Sequence, residues 1–106
     1  MIRKLTVTEE NRISVYMTKL FSADKDKTIK DVAVAAWSIG TAYLRVYVIF
    51  KAETAIPKEI TDILDRWAEG GLTGTDSKLT ISAEFDDDAL PNDLTYLYRN
   101  GEPVTS

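Results

Sequence analysis

Residues 42–52 (AYLRVYVIFKA) are the segment that most constrains how this chain can fold. Apolar side chains alternate here with polar and aromatic ones, which is the period of two that a half-buried strand requires. Its β-branched and aromatic residues also suit a pleated sheet better than a helix. We therefore predict a central strand that needs a lid over its apolar face. That face carries Leu44, Val46, Val48 and Phe50, and the opposite face carries Tyr43, Arg45, Tyr47 and Lys51.

Two later segments have equally regular patterns. From Pro57 to Gly70-Gly71 the apolar residues recur at helical spacing, and proline suits the first turn of a helix. This predicted helix, with Trp67 on its apolar stripe, is the natural lid for the central strand. Residues 78–85 alternate strictly between apolar and polar, which predicts a second strand. Residues 94–99 are predicted to form a final strand, and residues 101–106 a frayed tail.

The first forty residues leave alternatives open. Residues 9–22 have apolar residues at helical spacing after Thr8, a suitable N-cap, although residues 12–20 also contain the β-branched residues of a strand. Residues 28–40 fit a helix that starts at Thr28 and ends at Gly40. They also fit a strand over residues 31–39 that turns into the central strand as a hairpin, and the need of that strand for a neighbour favours this interpretation.

Together these elements predict an α+β fold in a single domain spanning residues 1–106. The expected order is α-β-β-α-β-β, giving two layers: about four mainly antiparallel strands and two helices. The chain is long enough to bury a core of its own, and no linker or internal repeat divides it.

The absence of cysteine and histidine excludes many functions. It rules out disulfides, Cys/His zinc sites, thiol nucleophiles and Ser-His-Asp relays. We therefore expect no enzyme activity, no cofactor and no metal. The acidic loop Asp86, Asp87 and Asp88 lacks the ligand and glycine spacing of a calcium loop, so a solvated loop is the better interpretation.

Charge and hydropathy indicate a cytoplasmic protein without a membrane segment, because the longest apolar run is residues 32–37. The net charge is −4, with nine Lys/Arg against six Asp/Glu in residues 1–53 and four against eleven in residues 54–106. No chain-wide basic patch is present, so a nucleic-acid role would need a local site. The opposed halves could instead support head-to-tail self-assembly.

The face with Tyr43, Arg45, Tyr47 and Lys51 is the candidate binding surface. Aromatic rings alternating with cations on an open sheet can contact a protein partner or stack on bases. The alternatives are that the first helix covers this face, or that it is an ordinary solvated sheet surface. Tyr96 and Tyr98 are further candidates, although the pattern does not settle which way their strand faces.

Two families resemble parts of the chain. Thr28-Ile29-Lys30-Asp31-Val32-Ala33, followed by Arg45-Val46, resembles the helix-turn-helix of LacI-type repressors, which implies DNA reading through Thr41, Tyr43 and Arg45. The order of elements, ending in an Asp-rich turn and Asp93-Leu94-Thr95-Tyr96, is similar to that of tail-terminator proteins of long-tailed phages. That resemblance implies a small α+β subunit that assembles into rings.

The function expected from the sequence is therefore a non-catalytic interaction or assembly protein of a phage or mobile element. It would bind a protein partner or its own copies. The alternative is a small helix-turn-helix DNA-binding regulator that uses residues 28–47.

Overall fold

The computed structural model describes residues 3–52, 55–72 and 74–104 and shows an α+β domain, as the patterns predict. Two helices pack on a sheet with strand order β3-β2-β1-β4-β5. The sheet has five strands instead of about four; β2 and β3 are parallel, and the other neighbours are antiparallel. In chain order the elements are α1 (Val7–Ala23), β1 (Ile29–Ile39), β2 (Thr41–Phe50), α2 (Lys58–Gly70), β3 (Lys78–Phe85), β4 (Thr95–Arg99) and β5 (Glu102–Pro103).

Strand β1 settles the ambiguity of residues 28–40 in favour of a strand. It is an interior strand with β2 on one side and β4 on the other, and Val32, Ala33 and Val34 are all buried. The chain reverses at Gly40, whose positive φ of 72° suits glycine, so that Ile39 pairs with Thr41. Because residues 29–39 and 41–50 are strands, residues 28–47 do not form the two helices of the alternative DNA-binding interpretation.

The central strand β2 is covered as predicted. Its face with Leu44, Val46, Val48 and Phe50, here called the helix face, is buried against both helices. Trp67 of α2 is completely buried in this core and stacks on Tyr16 of α1, with ring centroids 4.7 Å apart. The remaining helix residues of this core are Ile13, Met17, Leu20, Ile60 and Leu64.

Helix α1 begins at Val7, two residues before the predicted start, and Thr6 is its N-cap instead of Thr8. The Thr6 side chain accepts from Glu9 N at 3.1 Å, while Glu9 accepts from Thr6 N at 2.9 Å. This reciprocal capping box satisfies two backbone donors that a helix leaves unpaired. Residues 12–20 are helical, so the strand alternative for them is not adopted.

Two long connections determine which face of the sheet is covered. The chain from β2 to its parallel neighbour β3 runs through α2 on the helix face. Strand β4 is antiparallel to β1 and therefore runs in the same direction as β3, so residues 86–94 must return along the sheet before β4 begins. Leu90 and Leu94 pack on the side opposite the helices, which shows that this connection crosses that face.

The end of the chain adds a short strand. Glu102 and Pro103, within the segment predicted to fray, pair with Arg99 and Tyr98 as β5. Residues 105 and 106 of that segment lie outside the described residues. Among the residues that the structure describes, no helix is long and apolar enough to cross a membrane.

Candidate functional site

The face of β2 opposite the helices, here called the open face, is divided into a covered half and an exposed half. Residues 86–94 cover one half, where Leu90 and Leu94 pack on Tyr47 and Ile49. Tyr47 is only 8% exposed, so this member of the predicted binding set belongs to a small second core. The first helix, which was one of the alternatives for covering this face, lies on the opposite side of the sheet.

The exposed half lies at the tip of the β1–β2 hairpin. Trp37 and Tyr43 are directly opposite each other in the antiparallel register. Their rings are stacked, with centroids 5.6 Å apart and an angle of 10° between the ring planes. Ile39, two residues further along β1, is 73% exposed. From the sequence, Trp37 was predicted to lie in the strand but not to belong to the binding surface. The predicted hairpin could have identified it, because a hairpin places Trp37 opposite Tyr43.

Arg45 extends this surface towards the middle of the sheet. It lies opposite Ala35 in the antiparallel register. The guanidinium Nε of Arg45 is buried and has no hydrogen-bond partner among the described residues. A buried donor without a partner costs free energy. We call Trp37, Ile39, Tyr43 and Arg45 the hairpin surface.

An ion pair on the other side of the sheet holds the hairpin surface in place. Arg3 donates to the carbonyl oxygens of Trp37 at 3.4 Å and Tyr43 at 3.3 Å, and its backbone N–H donates to Ala36 O at 3.0 Å. The same guanidinium binds both carboxylate oxygens of Glu9. The two strands that carry the stacked rings are therefore tied to the start of α1, and a surface that is ordered in advance loses little entropy on binding.

Lys51 lies at the opposite end of β2 from this surface. Eight residues separate it from Tyr43, which is about 26 Å along a strand. Lys51 instead lines a cleft of about 640 Å³ with Lys30 and Asp86, which form an ion pair at 3.4 Å. The four residues predicted to form one surface are thus distributed over three places: Tyr43 and Arg45 at the hairpin, Tyr47 in the second core and Lys51 in the cleft.

The two further tyrosine candidates face opposite sides of the sheet. The Tyr96 ring packs with the second core and lies 3.6 Å from the Arg99 guanidinium carbon. Tyr98 packs against the helix-face core, where the centroid of its ring lies 4.8 Å from that of Phe21. A bulge in β4 between the residues paired with Val32 and Ala33 produces this change of side. Neither tyrosine joins the hairpin surface.

The acidic loop is exposed, and two of its carboxylates bind backbone groups. Asp86 accepts from Ala52 N at 3.0 Å, and Asp88 accepts from Phe85 N at 2.7 Å. Asp88 also lies beside Glu84, and burial together with the hydrogen bond and charge of Asp88 raises the pKa of Glu84. Among the described residues, no group of three or more acidic side chains is placed to hold a metal ion. Asp88 therefore stabilises the turn that follows β3, and Asp86 connects the start of that turn to the end of β2.

Comparison with known proteins finds no matching family model, no matching curated protein and no matching solved structure. The hairpin surface must therefore be interpreted from its own chemistry. It offers two stacked aromatic rings, an exposed aliphatic side chain and a half-buried guanidinium. These groups can bind and orient a partner.

Proposed function

We propose that this protein is a non-catalytic protein-binding subunit that contacts its partner through the hairpin surface. The observation that carries the proposal is the stacked Trp37–Tyr43 pair beside Arg45 on the uncovered half of the sheet. Tryptophan, tyrosine and arginine are the residue types most enriched at the energetic centres of protein interfaces. Ile39, exposed at the hairpin tip, adds apolar area that a partner would bury.

The chemistry of the surface favours a protein over a nucleic acid. Nucleic-acid affinity depends on several cations that neutralise phosphates, and this surface has two, Arg45 and the exposed Lys78 that lies beside Tyr43 in the register of β2 and β3. Lys30 and Lys51 line the cleft at the other end of the sheet, and the chain has a net charge of −4. A protein partner would need an apolar side chain to cover the rings and a carbonyl or carboxylate oxygen to accept from the half-buried Arg45 guanidinium.

The resemblance to phage tail-terminator proteins supports an assembly role for this contact. Such subunits act by binding neighbouring subunits, which requires a preformed surface but no catalytic group. The ties from Arg3 to both hairpin strands provide a preformed surface of this kind.

Site-specific photocrosslinking in the cells that express the protein tests this proposal. A photoreactive residue replaces Ile39 on the hairpin surface or, as the control, Val15, which is 53% exposed on α1. We expect a discrete protein adduct from position 39 and none of the same mass from position 15. Arg45→Ala should reduce the adduct by about tenfold, because removing a hot-spot side chain costs more than 1 kcal/mol.

Two controls make the result decisive. Arg66→Ala removes an exposed guanidinium from α2, on the other side of the sheet, and should leave the adduct unchanged. Circular dichroism of each variant must match that of the wild type. The proposal fails if positions 39 and 15 give the same adducts, if neither gives one, or if nuclease removes the adduct.

A further inference from the structure

Strand β3 is an unusually open edge of the sheet. It pairs with β2 over all eight of its residues, and no strand in the described part of the chain pairs with its outer side. Natural proteins usually protect such an edge by shortness, charged side chains, proline or a bulge. In β3 the charged side chains are Lys78 and Glu84, near its two ends. The opposite edge, β5, has two residues, one of which is Pro103. The sequence of β3, KLTISAEF, has no proline, and its register with β2 is unbroken.

The free backbone groups of β3 belong to alternate residues. Asp86 N donates to Phe50 O in β2, so the even-numbered residues of β3 direct their backbone groups towards β2. The odd-numbered residues Leu79, Ile81 and Ala83 therefore direct theirs towards the free edge. The next odd-numbered donor, Phe85 N, is already occupied by Asp88. The available edge thus ends at Ala83 and is centred on Ile81.

This edge is complementary to itself. If two copies of β3 pair antiparallel with Ile81 opposite Ile81, then Leu79 faces Ala83 and Thr80 faces Ser82. Lys78 of each copy then faces Glu84 of the other copy, so the interface contains this pair of opposite charges twice. Directly opposed cross-strand pairs of this kind stabilise a sheet, whereas like charges destabilise it. A register centred on Leu79 or Ala83 would lose this charge match and shorten the paired length.

We propose that two copies of this protein associate through β3, in this antiparallel register, to form one continuous sheet. The partner is a second copy because the two halves of β3 are complementary to each other. A two-fold axis through Ile81 pairs each half of one β3 with the other half of its copy. This inference rests on the edge of the sheet and is independent of the hairpin surface.

The side chains on the helix face of β3 support the pairing. Leu79, Ile81 and Phe85 are only partly buried in the monomer, although they pack against the main core. A groove of about 130 Å³ between α2 and β3 is lined by Thr61, Leu64, Asp65, Ala68, Ile81 and Ala83. A second copy would cover this groove. The two Asp65 side chains would approach each other near the axis, which favours a weak, reversible dimer over a tight one.

The surroundings of Glu84 favour the proposed charge pair. Burial and the like-charged neighbour Asp88 raise the pKa of Glu84, and the charge of Arg45 only partly offsets them. In the dimer Lys78 of the second copy would add a second cation directly across the strands. Lys78 is exposed in the monomer, so its side chain is available for this contact.

A dimer of this kind would also give the protein two equivalent binding surfaces. A two-fold axis perpendicular to the sheet leaves both open faces on the same side. The two hairpin surfaces would then point the same way, and a partner with repeated subunits would gain affinity by binding both.

Sedimentation velocity across a wide concentration range tests the dimer. We expect the weight-average mass of the wild type to rise towards twice the monomer mass. Lys78→Glu should weaken association by roughly tenfold, because a two-fold interface repeats each like-charge contact. The double exchange Lys78→Glu with Glu84→Lys should restore association.

Ala83→Pro tests the backbone pairing. It removes an N–H that points away from β2 and that β2 does not use, so the dimer should weaken while the monomer stays folded.

Disulfide trapping tests the register, because the chain has no cysteine of its own. Thr80→Cys mixed with Ser82→Cys should form a disulfide-linked dimer under mild oxidation, whereas each variant alone should form much less. The proposal is overturned if the wild type remains monomeric at about 1 mM, a concentration at which even a weak interface is populated. It is equally overturned if a dimer forms that neither Lys78→Glu nor Ala83→Pro weakens.

Discussion

Arg3 and Glu9 form a doubly hydrogen-bonded ion pair that joins the start of the chain to α1. Arg3 Nη1 lies 2.7 Å from Glu9 Oε1, and Arg3 Nη2 lies 2.8 Å from Glu9 Oε2. Glu9 is 1% exposed and also accepts from Ser77 Oγ at 2.6 Å and Thr6 N at 2.9 Å. One carboxylate therefore connects the N-terminal segment, the helix cap and the loop before β3.

Glu9→Gln should destabilise the protein by about 2 to 3 kcal/mol, because it removes a charge that is paired and bonded in a buried site. Urea unfolding followed by circular dichroism measures this change. Glu10→Gln is the matched control, since it alters the adjacent exposed carboxylate of the same helix turn and should change stability by less than about 0.5 kcal/mol. Equal effects of the two variants would contradict the role assigned to Glu9.

Acid should remove the contribution of Glu9 to stability. The hydrogen bond from Arg3, assisted by those from Ser77 and Thr6, outweighs burial and lowers the pKa of Glu9 from 4.5 to about 2. A lowered folded-state pKa stabilises the fold above the unfolded value, here by about 3 kcal/mol, and this is lost as the pH falls from 4.5 through 2. The stability difference between wild type and Glu9→Gln should therefore shrink over that range. A difference that stays constant would contradict the lowered pKa.

Asp24→Ala should cost about 2 to 3 kcal/mol, because it leaves buried backbone donors without a partner. Its carboxylate accepts from Thr28 N at 2.9 Å, Thr28 Oγ1 at 2.6 Å and Ile29 N at 2.8 Å, and so shapes the turn into β1. Thermal unfolding measures the loss. Asp26→Ala, at an exposed position in the same turn, should behave like the wild type.

The two tryptophans should differ sharply in fluorescence quenching. Trp67 is completely buried, whereas Trp37 lies partly exposed at the hairpin. Acrylamide should therefore quench Trp67→Phe, which retains Trp37, with a constant several-fold larger than for Trp37→Phe. Similar constants in two folded variants would mean that α2 does not cover the helix face as described.

Leu94→Ala should destabilise the protein by about 1 to 2 kcal/mol, since it removes half-buried apolar contacts from the second core. Leu94 packs against the group formed by Ala33, Tyr47 and Ile49. Chemical unfolding measures the cost, and Val15→Ala on the exposed side of α1 is the matched control. A loss no greater than that of the control would show that residues 86–94 do not pack on the sheet.

The covered and uncovered faces of β2 were predictable because they follow from local alternation. A strand places neighbouring side chains on opposite faces whatever surrounds it, so Leu44 and Val46 had to face a lid. The helical spacing around Trp67 identified that lid in the same way. The strand at residues 29–39 could also be predicted from the sequence, because the long amphipathic strand β2 needs a neighbouring strand to pair with.

The start of α1 was predicted two residues too late, although the sequence contains the pattern for the observed start. Thr6 is followed three residues later by Glu9, which is the spacing of a capping box, whereas Thr8 is followed at that spacing by Asn11. The contacts of the Glu9 carboxylate with Arg3 and with Ser77, 68 residues away, could not be predicted from the sequence. A contact between residues as distant as Glu9 and Ser77 leaves no periodic pattern in the chain.

The sequence by itself determined the α+β class, the order of the main elements and the two faces of the central strand, because each depends on periodicity over a few neighbouring residues. The tertiary structure alone decided which part of the open face stays accessible. Residues 86–94 return across the sheet and bury Tyr47, while the hairpin register pairs Trp37 with Tyr43. The path of a connection and the opposition of two strands depend on the whole packed chain, so no short stretch of residues encodes them.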